Sequence, residues 1–457
     1  MGAALRRGLS RLVPLLVLLV ATAALLPASA VLPESATRSS GRHGIVWEQC
    51  EQDPAVECGT LSVPIDWARP YGRTVELALA RRRAAAPEAR IGVLLTNPGG
   101  PGGSGVNDVL RDPGFGGEVR RRFDVVGYDP RGVGRSHPVV CSASVYNEMP
   151  GPIMRSQADH DRWSTYTRRL HADCRERTGP LYDHVDSVSV ARDMDAVRAA
   201  LGEERITSYG VSYGTLAQQM YAELFPGRIR AMVLDGVMDH SLGVGEFLDT
   251  EAAAVEGVFD EFVAWCDRDA GCVLHGRDVR EVWKRLLGRA ERGELGYPGL
   301  TARPLSVHNL LWLGVVLNEG PAWERFARLI VALDGGPTPP DLPSPPGDGP
   351  VGGNLVELPT VILCQGNPTR NPQHRLRYTG DAPLLVVNSR YDPDTPHAWS
   401  ANVARQLGPR AVLLTYEGWG HGVYGMTGCT GAVVDDYLVS LSVPARDMRC
   451  PAEETRR

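Results

Sequence analysis

One stretch of this sequence decides the fold: Ile206-Thr207-Ser208-Tyr209-Gly210-Val211-Ser212-Tyr213-Gly214. Its first half is of β-type, and a helical pattern over residues 213–225 follows and ends before Pro226. Between them lies G-x-S-x-G, the pattern of a sharp strand-to-helix turn that presents a serine above a sheet. Glycines suit such a turn because a side chain there would collide with the tight backbone. The stretch therefore predicts a strand, a turn with Ser212 as a reactive serine, and a helix.

Five further apolar runs look like buried strands. These are residues 91–96, 123–128, 231–234, 384–387 and 411–414, and with residues 205–211 they give six predicted strands. Helical patterns lie between them, including one over residues 190–201 that Ser189 can cap. This alternation predicts an α/β fold with a mostly parallel central sheet and helices on both faces.

The alternation stops between residues 239 and 380. Residues 246–265 are helical and acidic in pattern, and amphipathic stretches surround Trp283 and Trp312. Residues 335–353 are too rich in Pro and Gly to form a regular element. An insertion between late strands predicts a mainly helical cap or lid over residues 239–380. The core then consists of residues 31–238 and 381–457.

A reactive serine needs a base and an orienting acid. Gly418-Trp419-Gly420-His421-Gly422 follows a predicted strand, so His421 is the expected base. Asp392 lies in the loop after residues 384–387, at the end of a sheet strand where functional groups gather. Asp394 is its rival in the same loop, and Asp235, after residues 231–234, is a third candidate.

The N-terminal 30 residues have the pattern of a secretory signal peptide. Arg6, Arg7 and Arg11 precede an apolar stretch over residues 12–26, and Ala28-Ser29-Ala30 is a cleavage pattern. We expect cleavage after about Ala30 and a secreted protein with no stable membrane association, the alternative being a membrane anchor. Once the three arginines are removed, the 54 acidic side chains exceed the basic ones by nine. With no basic run either, the composition excludes nucleic acid as a partner.

Residues 97–105 form a glycine-rich loop after a predicted strand. This is where backbone N–H donors for a tetrahedral oxyanion are found, and we predict them at Gly100 and at Tyr213, directly after the serine. The letters from Gly100 to Gly105 also fit G-x-G-x-x-G, with Asp129 after the next strand. Two facts weigh against a dinucleotide site: an exported enzyme has little access to nicotinamide cofactors, and such a site would leave Ser212, Asp392 and His421 unexplained. No metal or organic cofactor is therefore expected.

The nine cysteines suit an oxidising compartment and structural disulfides. Proximity in sequence suggests the pairs Cys50–Cys58, Cys141–Cys174, Cys266–Cys272 and Cys429–Cys450, with Cys364 left over. Sequence alone does not fix this connectivity.

From about Trp47 to Cys450 the chain resembles the secreted serine exopeptidases of the tripeptidyl aminopeptidase type. These are relatives of the prolyl iminopeptidases within the α/β-hydrolases. The resemblance lies in residues 58–66, 98–102, 127–134, 210–215 and 392–396, and in a C-terminal portion similar to that family's C-terminal domain. It implies an α/β-hydrolase fold, with Ser212 as nucleophile, Asp392 rather than Asp394 as acid, and His421 as base. The implied substrates are the free N-termini of peptides or proteins.

One departure bears on the substrate. The family usually has an acid shortly after the cysteine that matches Cys364, where this chain has Gln365-Gly366. A carboxylate is needed to hold the substrate's α-ammonium, and Glu319, Glu324 or the acids of residues 246–256 can supply it. Two alternatives remain open: an esterase or lipase with the same triad, and a non-catalytic secreted binding protein on this fold. The sequence does not indicate an oligomeric state.

Overall fold

The computed structural model describes residues 44–151, 153–297, 304–318, 323–338, 363 and 370–453. The strands in this part of the chain are β1 (Val46–Gln49), β2 (Glu57–Pro64), β3 (Thr74–Arg82), β4 (Gly92–Asn97), β5 (Phe123–Tyr128), β6 (Ile206–Val211), β7 (Ile229–Asp235), β8 (Leu384–Tyr391), β9 (Ala411–Trp419) and β10 (Met448–Cys450). They form one sheet in the order β1-β2-β3-β5-β4-β6-β7-β8-β9-β10. The pairs β1–β2, β2–β3 and β3–β5 are antiparallel, and the other six pairs in this order, beginning with β5–β4, are parallel.

The α-helices of the described residues are α1 (Gly105–Arg111), α2 (Gly117–Arg122), α3 (Ala143–Tyr146), α4 (Gln157–Thr178), α5 (Ser187–Ala200), α6 (Gly214–Leu224), α7 (Val244–Arg268), α8 (Val279–Glu291), α9 (Val307–Asn318), α10 (Trp323–Leu333), α11 (His397–Leu407) and α12 (Gly428–Ser440). Short 3₁₀ turns span Pro87–Ala89, Gly179–His184, Pro226–Arg228 and Gly408–Arg410. None of the described helices is long and apolar enough to cross a bilayer.

The parallel strands β4, β5 and β7 are buried along almost their whole length because both faces of the sheet are covered. In β8, Leu384 and Val386 enter the core that includes residues of α5 and α6. Leu385 and Val387 enter the opposite core, which includes residues of α1, α2 and α12. Alternate side chains of a strand point to opposite faces, so a continuous apolar run fills both cores.

Helices α7 to α10 follow β7 and precede β8, and they have a hydrophobic core of their own. Phe262, Leu286 and Phe326 are fully buried in it, and Trp419 of β9 packs against it. Helix α10 carries its apolar residues on one face, as expected for a helix that packs against a helical layer.

The fold prediction is confirmed: the sheet is mostly parallel, with helices on both faces. All six predicted strands are present, and the helix over residues 213–225 is α6. The first three strands and β10 were not predicted. The capping prediction at Ser189 is wrong: α5 begins at Ser187, and the Asp186 carboxylate accepts a hydrogen bond of 2.9 Å from the Ser189 N–H.

The four disulfides of the described residues have the predicted pairing: Cys50–Cys58, Cys141–Cys174, Cys266–Cys272 and Cys429–Cys450. Several predictions lie outside the described residues. These are the signal peptide, Glu319, Cys364, Gln365-Gly366 and residues 339–353 of the Pro/Gly-rich segment.

Candidate active site

Ser212 lies at the turn between β6 and α6, with a φ of 57° that few non-glycine residues adopt. Its backbone N–H donates to the carbonyl of Asp235 on the neighbouring strand (2.9 Å). A Cβ on Gly210 would lie 2.7 Å from the Gln218 side chain, and one on Gly214 would lie 2.5 Å from the Asn97 carbonyl oxygen. Both glycines of the motif are thus required by the tight packing around the turn.

Asp392 and His421 meet above the carboxyl ends of β8 and β9. The two Asp392 oxygens each lie 3.1 Å from Nδ1 of His421. The Asp392 side chain is fully buried, whereas the His421 ring is partly exposed. The Asp394 N–H and the Thr395 N–H both donate to Asp392 Oδ1 (2.9 Å each). These bonds hold the carboxylate in the orientation that faces the imidazole.

Thr395 is a site residue that the sequence analysis missed. Its hydroxyl donates to Asp392 Oδ2 (2.8 Å) and lies 3.2 Å from His421 Nδ1. A threonine hydroxyl both donates and accepts, so it can satisfy the two partners together. The sequence signal that could have revealed Thr395 is its position three residues after Asp392, from which a side chain can reach back across a short turn.

The two rival acids take different places. Asp394 lines the pocket in front of Ser212, and its backbone N–H supports Asp392. Asp235 is buried and accepts hydrogen bonds from the N–H groups of Val423 (3.0 Å to each oxygen) and Tyr424 (3.0 Å). The Tyr209 hydroxyl also donates to it (2.8 Å). Asp235 therefore anchors the chain immediately after His421.

Burial changes the pKa of Asp235 and that of its donor Tyr209. Desolvation raises the pKa of Asp235 even though three donors favour its charged form. Burial and the Asp235 carboxylate together hold the pKa of Tyr209 well above its ordinary value, so the phenol stays protonated. Tyr209 is therefore a fixed donor to Asp235 across the whole physiological pH range.

The glycine-rich loop after β4 forms one wall of the Ser212 pocket. This pocket has a volume of about 370 Å³, and Gly100, Ser212, Thr395 and His421 are among its lining residues. Tyr213 follows Ser212 directly and leads into the first turn of α6. Both residues predicted as oxyanion donors, Gly100 and Tyr213, thus lie beside the serine.

The dinucleotide pattern in this loop has a structural explanation. The Asp129 carboxylate accepts hydrogen bonds from the Ser104 hydroxyl (2.5 Å), the Val106 N–H (3.2 Å) and the Arg135 N–H (2.8 Å). Asp129 is fully buried. It therefore ties the glycine-rich loop to the turn after β5, and this structural role accounts for an acid at that position.

The acids that the sequence suggested for binding the substrate amine differ in how exposed they are. Glu324 is exposed at the start of α10 and lies 3.7 Å from Arg328, as a surface ion pair. Within residues 246–256, Glu251 is buried on α7, while Glu246 and Glu256 are exposed. Glu256 borders a separate cavity of about 220 Å³ among α7 to α10, which Pro393 also lines.

Taken together, the elbow, the buried carboxylate and the histidine on a strand-end loop define a serine hydrolase of the α/β type. A family model described as the alpha/beta hydrolase fold matches residues 92–425. The chain belongs to this family.

Three relatives refine the comparison. The tripeptidyl aminopeptidase of Streptomyces lividans is 28% identical over 487 residues, covering 92% of this chain and 89% of that protein. Serine protease Hip1 of Mycobacterium tuberculosis is 30% identical over 479 residues, covering 89% and 91%. A protein of the same organism named carboxylesterase B is 28% identical over 475 residues, covering 88% and 89%. The family expectation from the sequence is confirmed, and the chain is a serine hydrolase.

Proposed function

We propose that this enzyme is a secreted serine exopeptidase that releases short peptides, in the first instance tripeptides, or single residues from free N-termini. The observation that carries the proposal is that the Asp392 carboxylate lies 3.1 Å from Nδ1 of His421, and that His421 lines the same pocket as Ser212. The similarity to a tripeptidyl aminopeptidase and to a serine protease over nine-tenths of the chain supports peptides as the substrate.

The mechanism follows from these positions. His421 takes the proton from the Ser212 hydroxyl as its oxygen attacks the scissile carbonyl carbon. Asp392 holds the imidazole in the tautomer with a proton on Nδ1 and stabilises the imidazolium that forms. The N–H groups of Gly100 and Tyr213 donate to the oxyanion, at about 3 kcal/mol for each donor. His421 then protonates the leaving amine, and water, activated by the same histidine, hydrolyses the acyl-enzyme.

We propose residues 239–380 as the cap of this enzyme. Helices α7 to α10 lie in this segment and have their own core, and Pro393, next to Asp392, lines the cavity among them. A cap restricts the pocket to a chain end, which is what distinguishes an exopeptidase from an endopeptidase. Export is supported by the four disulfides, which persist in oxidising compartments.

The position of the amine-binding carboxylate sets the length of the released peptide. An extended chain spans about 3.3–3.6 Å per residue, so a tripeptide places its ammonium roughly 10 Å from the scissile carbonyl. Asp394 lines the Ser212 pocket itself and suits the ammonium of a single residue. A tripeptide needs an acid roughly 10 Å from the scissile carbonyl, and the acids of residues 246–256 are our candidates for it.

The test is a matched series of chromogenic substrates: aminoacyl, dipeptidyl and tripeptidyl anilides, the same compounds with blocked N-termini, and a short-chain nitrophenyl ester. The proposal expects cleavage of tripeptidyl anilides that is lost on blocking. Ser212→Ala serves as the control and should be inactive with an unchanged unfolding midpoint. Full activity in that variant would remove Ser212 as nucleophile.

A second candidate function is favoured by the carboxylesterase B relative. Such an enzyme would use the same serine, acid and histidine on small acyl esters. Turnover of the nitrophenyl ester with no cleavage of any free anilide would establish it in place of the peptidase.

A further inference from the structure

A second pocket adjoins the Ser212 pocket, and Met238 lines both. This second pocket has a volume of about 160 Å³, and its apolar wall consists of Leu216, Leu242, Val244, Phe247 and Met238. Leu216 lies on α6 four residues after the serine, which is about one helical turn. The apolar pocket therefore begins beside the nucleophile.

Among the residues that line this pocket, Asp239 carries the only formal charge, and neutral protein donors already bind its carboxylate oxygens. Asp239 Oδ1 accepts from the Ser241 N–H (2.9 Å) and from Gln406 Nε2 (3.2 Å), and Oδ2 accepts from Asn402 Nδ2 (2.5 Å). His240 also lines the pocket, and burial lowers the pKa of its imidazole, so the ring is neutral near pH 7. A ligand carboxylate would meet no cation among these lining residues, and a ligand ammonium would have to compete with the protein donors that already bind Asp239.

The wall of the pocket is held in place. The Phe247 ring stacks on Trp399 with 4.5 Å between centroids. The indole N–H of Trp399 donates to the Thr250 hydroxyl (2.8 Å). A cavity of about 150 Å³ with Leu, Ile and Phe walls is known to hold a benzene ring. The apolar pocket is therefore of a size for one aromatic or branched aliphatic side chain.

We infer that the apolar pocket receives an uncharged apolar side chain of the substrate residue that flanks the scissile bond. The side chain belongs either to the residue that forms the acyl-enzyme or to the first residue of the leaving peptide. This inference rests on the proposed peptidase function, and it adds a preference for large apolar residues such as leucine or phenylalanine at that position.

The test uses a matched pair of variants, Val244→Trp and Val273→Trp. Both valines are about half exposed (50% and 52%), so each position tolerates a larger side chain, but only Val244 lines the pocket. One peptide series places Ala, Leu or Phe on the acyl side of the scissile bond, and a second places them on the leaving side. Mass spectrometry of the products identifies the bond that is cut.

In the wild type we expect kcat/KM to be at least tenfold higher for Leu or Phe than for Ala in one of the two series. Val244→Trp should lower kcat/KM for Leu and Phe at least tenfold and leave Ala within twofold. Val273→Trp should behave as wild type. Phe247→Ala, which enlarges the pocket, should raise the relative rate for a naphthyl side chain.

Equal rates for Ala, Leu and Phe in the wild type, or equal effects of the two tryptophan variants, would overturn the apolar pocket and leave the peptidase function intact. If no peptide is cut but nitrophenyl esters are hydrolysed, the peptidase function fails instead. The same variants are then compared on acetyl and hexanoyl esters. Selective loss of hexanoyl hydrolysis in Val244→Trp supports the pocket, and equal loss on both esters refutes it.

Discussion

Gly236, directly after β7, controls how closely the chain approaches His421. A Cβ at this position would lie 3.0 Å from His421 Cε1, 3.0 Å from the Thr395 hydroxyl and 3.3 Å from His421 Nδ1. These distances are tighter than ordinary contacts, so Gly236→Ala must move the ring or the threonine by a few tenths of an ångström. A displacement of about 1 Å costs roughly 10²-fold in rate, and we expect a loss of about tenfold in kcat.

The backbone at Gly236 also has a positive φ of 61°, where an alanine is strained by about 1–2 kcal/mol. Gly408 provides the matched control, because its φ is 63° and no atom lies within 4 Å of a Cβ built there. The ψ of Gly408 is −133°, in a region almost confined to glycine, so Gly408→Ala should also lose stability, on the order of 1–3 kcal/mol, and keep full activity.

The assay measures kcat on the best peptidyl anilide, together with the urea midpoint of each variant. A Gly236→Ala enzyme within twofold of Gly408→Ala in kcat would refute the claim that the position of His421 limits catalysis. A Gly236→Ala protein far less stable than Gly408→Ala would show that the contact serves folding first.

Three further predictions concern the two acids Asp392 and Asp394, the hydroxyl of Thr395, and the histidine His397. Asp392→Asn should lower kcat by about 10⁴-fold through the wrong imidazole tautomer, whereas Asp394→Asn should change the rate on tripeptidyl anilides less than tenfold; equal losses would contradict the assignment of the acid. Thr395→Val removes the donor to Asp392 Oδ2 and should lower kcat about tenfold with KM unchanged, and Thr395→Ser should restore it. Burial, with the Arg390 charge nearby, lowers the pKa of His397 to about 4 from 6.5. The unfolded chain therefore binds this proton first as pH falls, and stability on the order of 3 kcal/mol present above pH 6.5 is lost by about pH 4. Urea unfolding at pH 4 and pH 7 should show a smaller difference in His397→Gln than in the wild type, and an unchanged difference would rule out this histidine as the source.

Much of the fold can be predicted from the sequence because its signals are local. An apolar strand, the G-x-S-x-G turn and an amphipathic helix each lie within a few residues, and their order along the chain defines the parallel sheet. The first strands are harder to predict, because β2 and β3 are antiparallel, and only part of each is buried. The cap of α5 was missed because Asp186, Ser187 and Ser189 are all suitable capping residues, and only the backbone geometry selects Asp186.

The residues around Ser212 depend instead on contacts between distant parts of the chain. Asp392 and Asp394 are two positions apart and equally acidic, so the local pattern does not show which one faces His421, and at the level of sequence only the family resemblance favours Asp392. The loop decides it, because the Asp394 and Thr395 N–H groups bind the Asp392 carboxylate and orient it. The role of Asp235 as an anchor depends on bonds to residues 188 and 189 positions away.

The sequence by itself therefore indicated the class of the enzyme and the candidate serine and histidine, since each is marked by a short motif, and proximity along the chain suggested the disulfide pairs. Only the tertiary structure shows that the Asp392 carboxylate contacts the histidine, that Thr395 joins the pair, and that a Cβ on Gly236 would crowd the imidazole. The physical reason is the sheet order. Adjacent parallel strands bring residues 212, 235, 395 and 421 to one end of the sheet, and contacts such as that between Thr395 and His421 (3.2 Å) depend on how the strand-end loops pack against one another.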